Sequence, residues 1–446
     1  MPGRPRTALL FVVGILFFLL PTAAAVAQDT ETVTTRITVE DETGEPVPVG
    51  GVSITVTDED GNEVGTGATD EEGVFMLEVP EAGTYQLLLD DTSLPEGITL
   101  ANPDRNPATV ILREGQTGAT IFALTSGDAA VGAGGVTLRQ ISQLTVEGIK
   151  FGLFIAMAAI GLSLIFGTTG LVNFAHGELI GWGMLMAYFF NFYGLAGVFG
   201  WMASWPPPFG GGVNVIFAAV IAMVLGGALG WLLDAVIFSK LRARGVGLIS
   251  QMVVTIGLSL ILRYFFLFAF GGSPRFYRDY TAQSAIQIGI IDITPKDLVI
   301  SGLSVVILIG VGLFLIMTRW GKAMRAVSDN RDLAESSGID VQKVIRYVWV
   351  MGAGLAALGG VFDSLAETVR WDLGFRILLL VFAGVVLGGL GTAFGALVGS
   401  LIVGIGIQLS TIWLPTELKN VGALAMLALV LIARPQGLLG RRERVG

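Results

Sequence analysis

The sequence predicts a polytopic α-helical membrane protein of about eight or nine spans with a small all-β sandwich domain at its N-terminus. Of its 446 residues, 53% are hydrophobic and only 14% are charged, which is typical of a protein with several membrane spans. Apolar stretches of about twenty residues, long enough to cross a bilayer, recur from residue 143 onwards. Residues 29–128 instead carry 21 acidic and 3 basic residues, which indicates a separate soluble domain.

Composition also limits the chemistry that the chain can perform. It has no cysteine and one histidine, so disulfides, thiolate catalysis and a histidine-rich metal site are excluded. It has no Gly-x-x-x-x-Gly-Lys-Ser/Thr sequence and therefore no phosphate-binding loop of that type. We expect a transport subunit rather than an enzyme, with no catalytic residues, cofactor, metal or nucleic-acid partner.

Residues 1–28 have the pattern of a secretory signal peptide. Arg4 and Arg6 precede an apolar run that Pro21 interrupts, and small residues follow at positions 25–27. Basic, apolar and Ala-x-Ala segments in this order are typical of a cleavable signal. An uncleaved membrane anchor is the alternative. A cleaved signal peptide and an uncleaved anchor would both place the next domain outside the membrane.

Residues 29–127 are predicted to form an extracytoplasmic antiparallel β-sandwich. Short runs of alternating apolar and polar residues are separated by turn residues such as those at 60–62 and 72–73. The predicted strands are 35–40, 52–57, 74–79, 85–89, 109–112 and 119–124.

This domain resembles the carboxypeptidase-regulatory-like or prealbumin-like sandwich through residues 45–52, 58–61 and 69–75. Its acidic residues suit either calcium binding or a solubilising surface, and the lack of EF-hand spacing favours the surface. A docking or spacing role is expected. Residues 128–140 are interpreted as a flexible linker, because glycine and alanine dominate its start.

Residues 141–440 are predicted to be the membrane domain, and residues 441–446 a cytoplasmic tail. The seventh predicted span is short and is either spanning or re-entrant. The spans are 143–166, 175–193, 213–238, 248–270, 297–318, 344–366, 376–392, 394–413 and 420–434.

Loop charge predicts the orientation of these spans. Basic residues cluster at 240–244, 319–331 and 434–444, and the positive-inside rule assigns all three clusters to the cytoplasm. The N-terminal domain is then outside the cell membrane and the C-terminus inside, in agreement with the signal segment.

Polar residues within the spans are candidates for a substrate pathway, because each is costly in lipid unless it has a partner. The four-residue spacing of Gln251, Thr255 and Ser259 places them on one helix face. Hydrogen bonding between helices is the alternative role. The candidates are Asn173, His176, Glu178, Gln251, Thr255, Ser259 and Gln408. Residues 168–170 and 387–392 are candidate helix breaks, where freed backbone groups line a cavity.

A hydrophilic run at 319–340 separates the fifth and sixth spans. Its pattern predicts an amphipathic helix with a charged face. It is either a surface for a cytoplasmic partner or a solvated connector. The residues expected on its apolar side are Met324, Val327, Leu333, Ala334 and Ile339.

Over residues 145–440 the membrane half resembles the LivH family, the branched-chain amino acid type permeases of ABC importers. The sequence Asn-Phe-Ala-His-Gly-Glu at 173–178 is a specific signal for this family. The other motifs stand in family order at 161–167, 321–339, 388–395 and 434–440.

The resemblance implies a permease that forms the pathway for branched-chain or related neutral amino acids by ATP-driven alternating access. It implies four kinds of partner: two ABC ATPase subunits, a second permease subunit (LivM-like, or this chain itself), an extracytoplasmic substrate-binding protein, and the lipid bilayer. Residues 319–340 would then be the coupling helix that docks on an ATPase. Its implied coupling residues are Gly321, Lys322, Arg325, Ala326, Asp329, Ala334, Glu335 and Gly338.

Three alternatives stay open. Urea or short-chain amide importers share much of the same membrane pattern. An ion-coupled secondary carrier would use acidic residues in the spans, such as Asp363 and Glu367, as proton relays. A structural or sensory protein would use the spans only as an anchor, which needs far fewer than nine. The β domain departs from the family pattern, whose members begin almost directly with the first span.

Overall fold

The computed structural model describes most of residues 32–126 and 137–414, with short gaps, and scattered residues between 418 and 439. The predicted signal segment, most of the linker, most of the ninth predicted span and the tail lie outside the described residues. The chain forms two compact units that divide between Thr137 and Leu138.

The N-terminal unit contains nine described strands in two sheets. Strands β1, β2, β5, β7 and β9 form one sheet, and β4, β3, β6 and β8 form the other in that order. The strands are β1 Thr32–Glu40, β2 Pro46–Pro48, β3 Ser53–Thr57, β4 Glu63–Ala68, β5 Val74–Glu78, β6 Thr84–Leu89, β7 Ile98–Leu100, β8 Ala108–Ile111 and β9 Thr117–Ser126.

Alternation along the strands produces the core of this unit. Ile54 and Val56 of β3 are fully buried, as is Leu87 of β6, while the intervening side chains are more exposed. Apolar residues from both sheets form one buried cluster. The predicted sandwich is therefore present, and all six predicted strands are found.

The prediction of an antiparallel sandwich is wrong for one pair of strands. β1 and β9, the first and last described strands of the unit, run parallel, with Thr32 opposite Thr117 and Val39 opposite Leu124. Parallel neighbours need a long crossover, and here the crossover is the whole intervening chain. Alternation within single strands carries no information about such a long-range pairing.

The second unit contains ten described helices and one short hairpin, β10 Ile286–Ile288 with β11 Ile291–Ile293. In α3, Asp234–Phe238 form a π-helical turn. The helices are α1 Leu138–Thr169, α2 His176–Tyr193, α3 Val215–Ala243, α4 Leu248–Phe270, α5 Pro295–Met317, α6 Arg319–Asp329, α7 Arg331–Ser336, α8 Val341–Ala366, α9 Leu373–Gly388 and α10 Ala393–Ser410.

Seven helices of the described chain are long and apolar enough to span a membrane, namely α1 to α5, α8 and α10. The seventh predicted span appears as α9, a helix of 16 residues. At 1.5 Å per residue α9 is about 24 Å long, shorter than a bilayer core of about 30 Å. The end of the predicted linker is helical, since α1 already begins at Leu138.

The helix bundle is centred on α1 and α8, which are the most buried of the spans together with α2. Glycines allow their backbones to touch: a Cβ on Gly161 would strike the backbone of Gly352, and one on Gly359 would meet the carbonyl of Phe154. α10 packs on α1, and α3 packs on α8. α4 and α5 are peripheral and keep mostly exposed apolar faces. Close approach through small residues is the usual packing of helices in lipid.

Candidate functional site: the buried start of α2 and the 319–338 segment

A non-helical segment between α1 and α2 lies inside the bundle. α1 ends at Thr169, Gly170 has φ +71°, and α2 begins at His176. The Nε2 atom of His176 is 2.9 Å from the carbonyl oxygen of Ala158, which lies eleven residues, about 16 Å of helix, before the end of α1. α2 therefore starts deep inside the bundle, and α1 ends within the segment 168–170 that was a candidate helix break.

Side chains satisfy the backbone groups that this break exposes. The Oδ1 atom of Asn173 accepts a hydrogen bond of 3.0 Å from the backbone N–H of Ala175. The Oγ1 atom of Thr255, on α4, accepts one of 3.1 Å from the N–H of Phe174. These two N–H groups lie just before the first residue of α2, and the side-chain acceptors matter because water cannot reach them.

A buried ion pair follows in the first turn of α2. The Oε1 atom of Glu178 accepts hydrogen bonds from Ser259 Oγ at 2.9 Å and from Arg263 Nε at 3.2 Å. Arg263 also donates to Ser259 at 3.2 Å, and its guanidinium lies 3.5 Å from the ring centroid of Phe375. The carboxylate is further favoured by the positive end of the α2 dipole.

Four of the seven predicted pathway residues therefore meet at the α2–α4 contact: Asn173, Glu178, Thr255 and Ser259. His176 is adjacent, but its ring contacts α1. The side chain of Gln251 donates to the Val246 carbonyl at the start of α4. Gln408 lies half-buried on α10, which packs chiefly on α1 and α9 rather than at this contact.

Sequence reasoning missed Arg263, the partner of Glu178. The signal was available, because Arg263 continues the four-residue spacing of Gln251, Thr255 and Ser259. It is also the single charged residue within α4, and an isolated charge in a span implies a partner.

The 319–340 run forms two helices instead of one. Asn330, with φ −158°, ends α6 and caps α7 by accepting a hydrogen bond from the Leu333 N–H. Met324, Val327 and Ala334 are buried as predicted, but Leu333 is 64% exposed. The break at Asn330 changes the helical phase, so the prediction for Leu333 is wrong.

The predicted coupling residues divide into a packed set and an exposed set. Gly321 and Ala334 are buried and Ala326 is half-buried. A Cβ on Gly321 would strike the backbone of Phe314 and Leu315 at the end of α5. The exposed set is Lys322, Arg325, Asp329, Glu335 and Gly338.

This segment also touches both predicted helix breaks. A Cβ on Gly167, near the end of α1, would meet Ser328 Oγ of α6 and the carbonyl of Gly391. Gly391 has φ +79° and lies in the turn between α9 and α10. Beyond that turn, the N–H groups of Leu438 and Leu439 donate to the carbonyls of Leu387 and Gly388. The C-terminal motif thus caps α9.

Comparison with known proteins identifies the membrane unit. The model of the family described as the permease component of branched-chain amino acid transport systems matches residues 144–432, well over half of the chain. The chain belongs to this family. The permease is 30% identical over 310 residues to the high-affinity branched-chain amino acid permease protein LivH of Salmonella typhimurium, covering 68% of this chain and 96% of that protein.

Other relatives agree. LivH of Escherichia coli K12 is 30% identical over 314 residues, with the same coverage of the two chains. The permease protein BraD of Pseudomonas aeruginosa is 27% identical over 307 residues, again covering 96% of that protein. The membership confirms a multi-pass membrane protein and a transport subunit rather than an enzyme. It also implies further components of a transport system. The N-terminal β unit lies outside the matched residues.

Proposed function

We propose that this permease is the membrane subunit of an ABC importer for branched-chain or related neutral amino acids. Its partners are two ATPase subunits, a second permease subunit (LivM-like or another copy of this chain) and an extracytoplasmic substrate-binding protein. It resides in the cell membrane with its β unit outside and its C-terminus in the cytoplasm, as loop charge predicts.

The observation that carries this proposal is the arrangement of α6 and α7. Their apolar side is packed on the bundle, while Lys322, Arg325 and Glu335 are exposed. An exposed charged surface on helices whose other side is packed against the bundle suits docking of a cytoplasmic protein. The same segment contacts the end of α1 and the α9–α10 turn. A displacement of this segment would therefore move the residues at both helix breaks.

In this mechanism the energy of ATP hydrolysis enters through the α6–α7 segment. Closure of the two ATPases moves the segment as a rigid body and rocks the bundle between inward-open and outward-open states. The substrate passes along the α2–α4 region, where Asn173, Glu178, Thr255 and Ser259 supply polar groups in apolar surroundings. The names of LivH and BraD support branched-chain amino acids as the cargo.

The test is transport by the complete complex reconstituted in proteoliposomes. We expect uptake of labelled leucine that requires ATP and the binding protein. Reversing two exposed charges together, Arg325→Glu with Glu335→Arg, should lower uptake at least about tenfold, equivalent to about 1.4 kcal/mol of lost coupling or docking. Arg244→Glu, an exposed charge reversal on the same side of the bundle but outside the α6–α7 segment, is the matched control and should leave uptake unchanged.

Two other results would overturn parts of the proposal. Uptake that persists without ATP and collapses with the proton gradient would indicate an ion-coupled carrier. Uptake of urea or acetamide, with no competition by leucine, would assign the permease to the amide importers.

A further inference from the structure

A second polar cluster lies in the bundle, away from the α2–α4 region. The π-helical turn of α3 contains Asp234, which is fully buried. Its Oδ1 atom accepts a hydrogen bond of 2.5 Å from Arg242, and its Oδ2 atom lies 3.7 Å from Nε of Arg346 on α8. Two arginines face one carboxylate, so the cluster has an excess positive charge.

The two arginines are engaged to different degrees. The side chain of Arg242 is 7% exposed and holds the carboxylate directly. The side chain of Arg346 is 43% exposed, and its 3.7 Å contact is too long for a hydrogen bond. Within the described chain, Nε and Nη1 of Arg242 and Nε of Arg346 have no hydrogen-bond partner. These three nitrogens are buried, so the part of the cluster that an anion can reach is the exposed portion of the Arg346 side chain.

An apolar cavity of about 610 Å³ opens between the same two helices. All of its lining residues are apolar, and they include Val224, Gly227, Ala228 and Trp231 of α3 with Val350 and Gly354 of α8. Trp231 is one helical turn from Asp234, and Val350 is one turn from Arg346, so the cavity and the cluster are adjacent. The exposed ring of Trp231 is typical of the membrane interface.

We propose that this site binds one anionic phospholipid, with an acyl chain in the cavity and the headgroup phosphate at Arg346. The occupant follows from complementarity. The lining of the cavity suits an acyl chain better than a water-soluble ligand, because all of its residues are apolar. A phosphate matches the excess positive charge and the exposed part of the Arg346 side chain. The proposed orientation assigns the site to the cytoplasmic leaflet. The site itself depends only on α3 and α8, so failure of the lipid-binding test would not contradict the proposed transport function, and the reverse also holds.

The test uses the full-length permease, delipidated in mild detergent and titrated with phosphatidylglycerol or phosphatidylcholine, with bound lipid counted by native mass spectrometry. We expect one retained phosphatidylglycerol and weaker phosphatidylcholine binding. Arg346→Gln should weaken phosphatidylglycerol binding about fivefold, the effect of one basic residue near an anionic headgroup. Because Arg242 still pairs with Asp234, this variant should fold. Arg319→Gln, which removes an exposed charge elsewhere on the same side of the bundle, is the control.

A second variant tests the cavity without changing charge. Ala228→Phe should fill it and abolish retention of either lipid, while Ile309→Phe on the exposed face of α5 should have no effect. Equal retention of both lipids by the wild type, or unchanged binding in Arg346→Gln, would overturn the proposal. Displacement of the lipid by millimolar inorganic phosphate would also overturn it, since it would reveal a simple anion site.

Discussion

At the scale of single residues, three buried carboxylates of the membrane unit, Glu178, Asp234 and Asp297, are paired with basic side chains on other helices. Glu178 on α2 pairs with Arg263 on α4, and Lys150 on α1 pairs with Asp297 on α5 at 3.0 Å. Such pairs contribute little net stability compared with apolar packing, but removing one partner leaves an uncompensated charge. The pairs therefore specify which helices are neighbours.

Arg263→Met should destabilise the permease strongly, because Glu178 would remain buried without its cation. Loss of one partner from a buried pair costs about 3–5 kcal/mol. The measurement is the thermal unfolding of the detergent-solubilised protein. The double variant Arg263→Met with Glu178→Gln should recover much of the loss, and additive losses would show that the two side chains do not interact.

Thr255→Val should also destabilise, through the lost hydrogen bond between α4 and the segment that precedes α2. The valine keeps the shape but leaves the Phe174 N–H without an acceptor, at a cost of about 1–3 kcal/mol. Thr255→Ser keeps the hydroxyl and should stay near wild type in the same unfolding measurement. Equal effects of valine and serine would mean that the hydrogen bond is unimportant.

At the scale of elements, the connection of α6–α7 to the bundle depends on glycines and caps. Thr318 caps α6 by accepting from Gly321, and Gly338, with φ +83°, ends α7. The N–H groups of Gly338 and Ile339 donate hydrogen bonds to the carbonyls of Glu335 and Ala334, respectively, which is a Schellman motif. Sequence periodicity predicts a helix here, but the division at Asn330 comes from local capping.

Gly321→Val should uncouple transport from ATP hydrolysis, because a side chain at this position strikes the backbone of α5 and shifts α6. We expect leucine uptake to fall at least about tenfold while the amount of protein in the membrane is unchanged. Gly310→Val is the matched control, since a Cβ on Gly310 meets open space. A wild-type uptake rate in Gly321→Val would contradict a rigid connection between α5 and α6.

At the scale of the whole molecule, the chain combines two units of opposite character. Each has its own buried apolar cluster, one within residues 33–124 and one within 153–407. The β unit is strongly acidic and the remainder is basic, so charge alone separates them in the sequence. The acidic charge favours exposure of the β unit to water, whereas the apolar helices, not the basic charge, favour insertion of the other unit.

Orientation can be measured directly, because the chain has no cysteine. A cysteine introduced at exposed Glu72 of the β unit should react with a membrane-impermeant maleimide in intact cells. One introduced at Lys322 should react only after the cells are opened. The reverse pattern would contradict the proposed topology and, with it, docking of a cytoplasmic ATPase on α6–α7.

The described helices that are long enough to span a membrane and the charged segment before α8 could be predicted from sequence. Each depends on local composition or periodicity, which can be read from a short window of sequence. The same holds for Glu178 and Thr255 as polar residues inside spans. The parallel pairing of β1 with β9 could not be predicted this way, because strand neighbours far apart in sequence leave no local signal.

Sequence by itself thus determined what kind of protein this is, since lipid and water impose opposite compositions on the segments that they surround. Tertiary structure alone decided which polar groups meet: Glu178 with Arg263, Phe174 with Thr255, and Asp234 with Arg346. The physical reason is that a buried charge or N–H group must find its partner on whichever helix packs beside it. Which helix supplies the partner is therefore determined by the packing of the whole bundle.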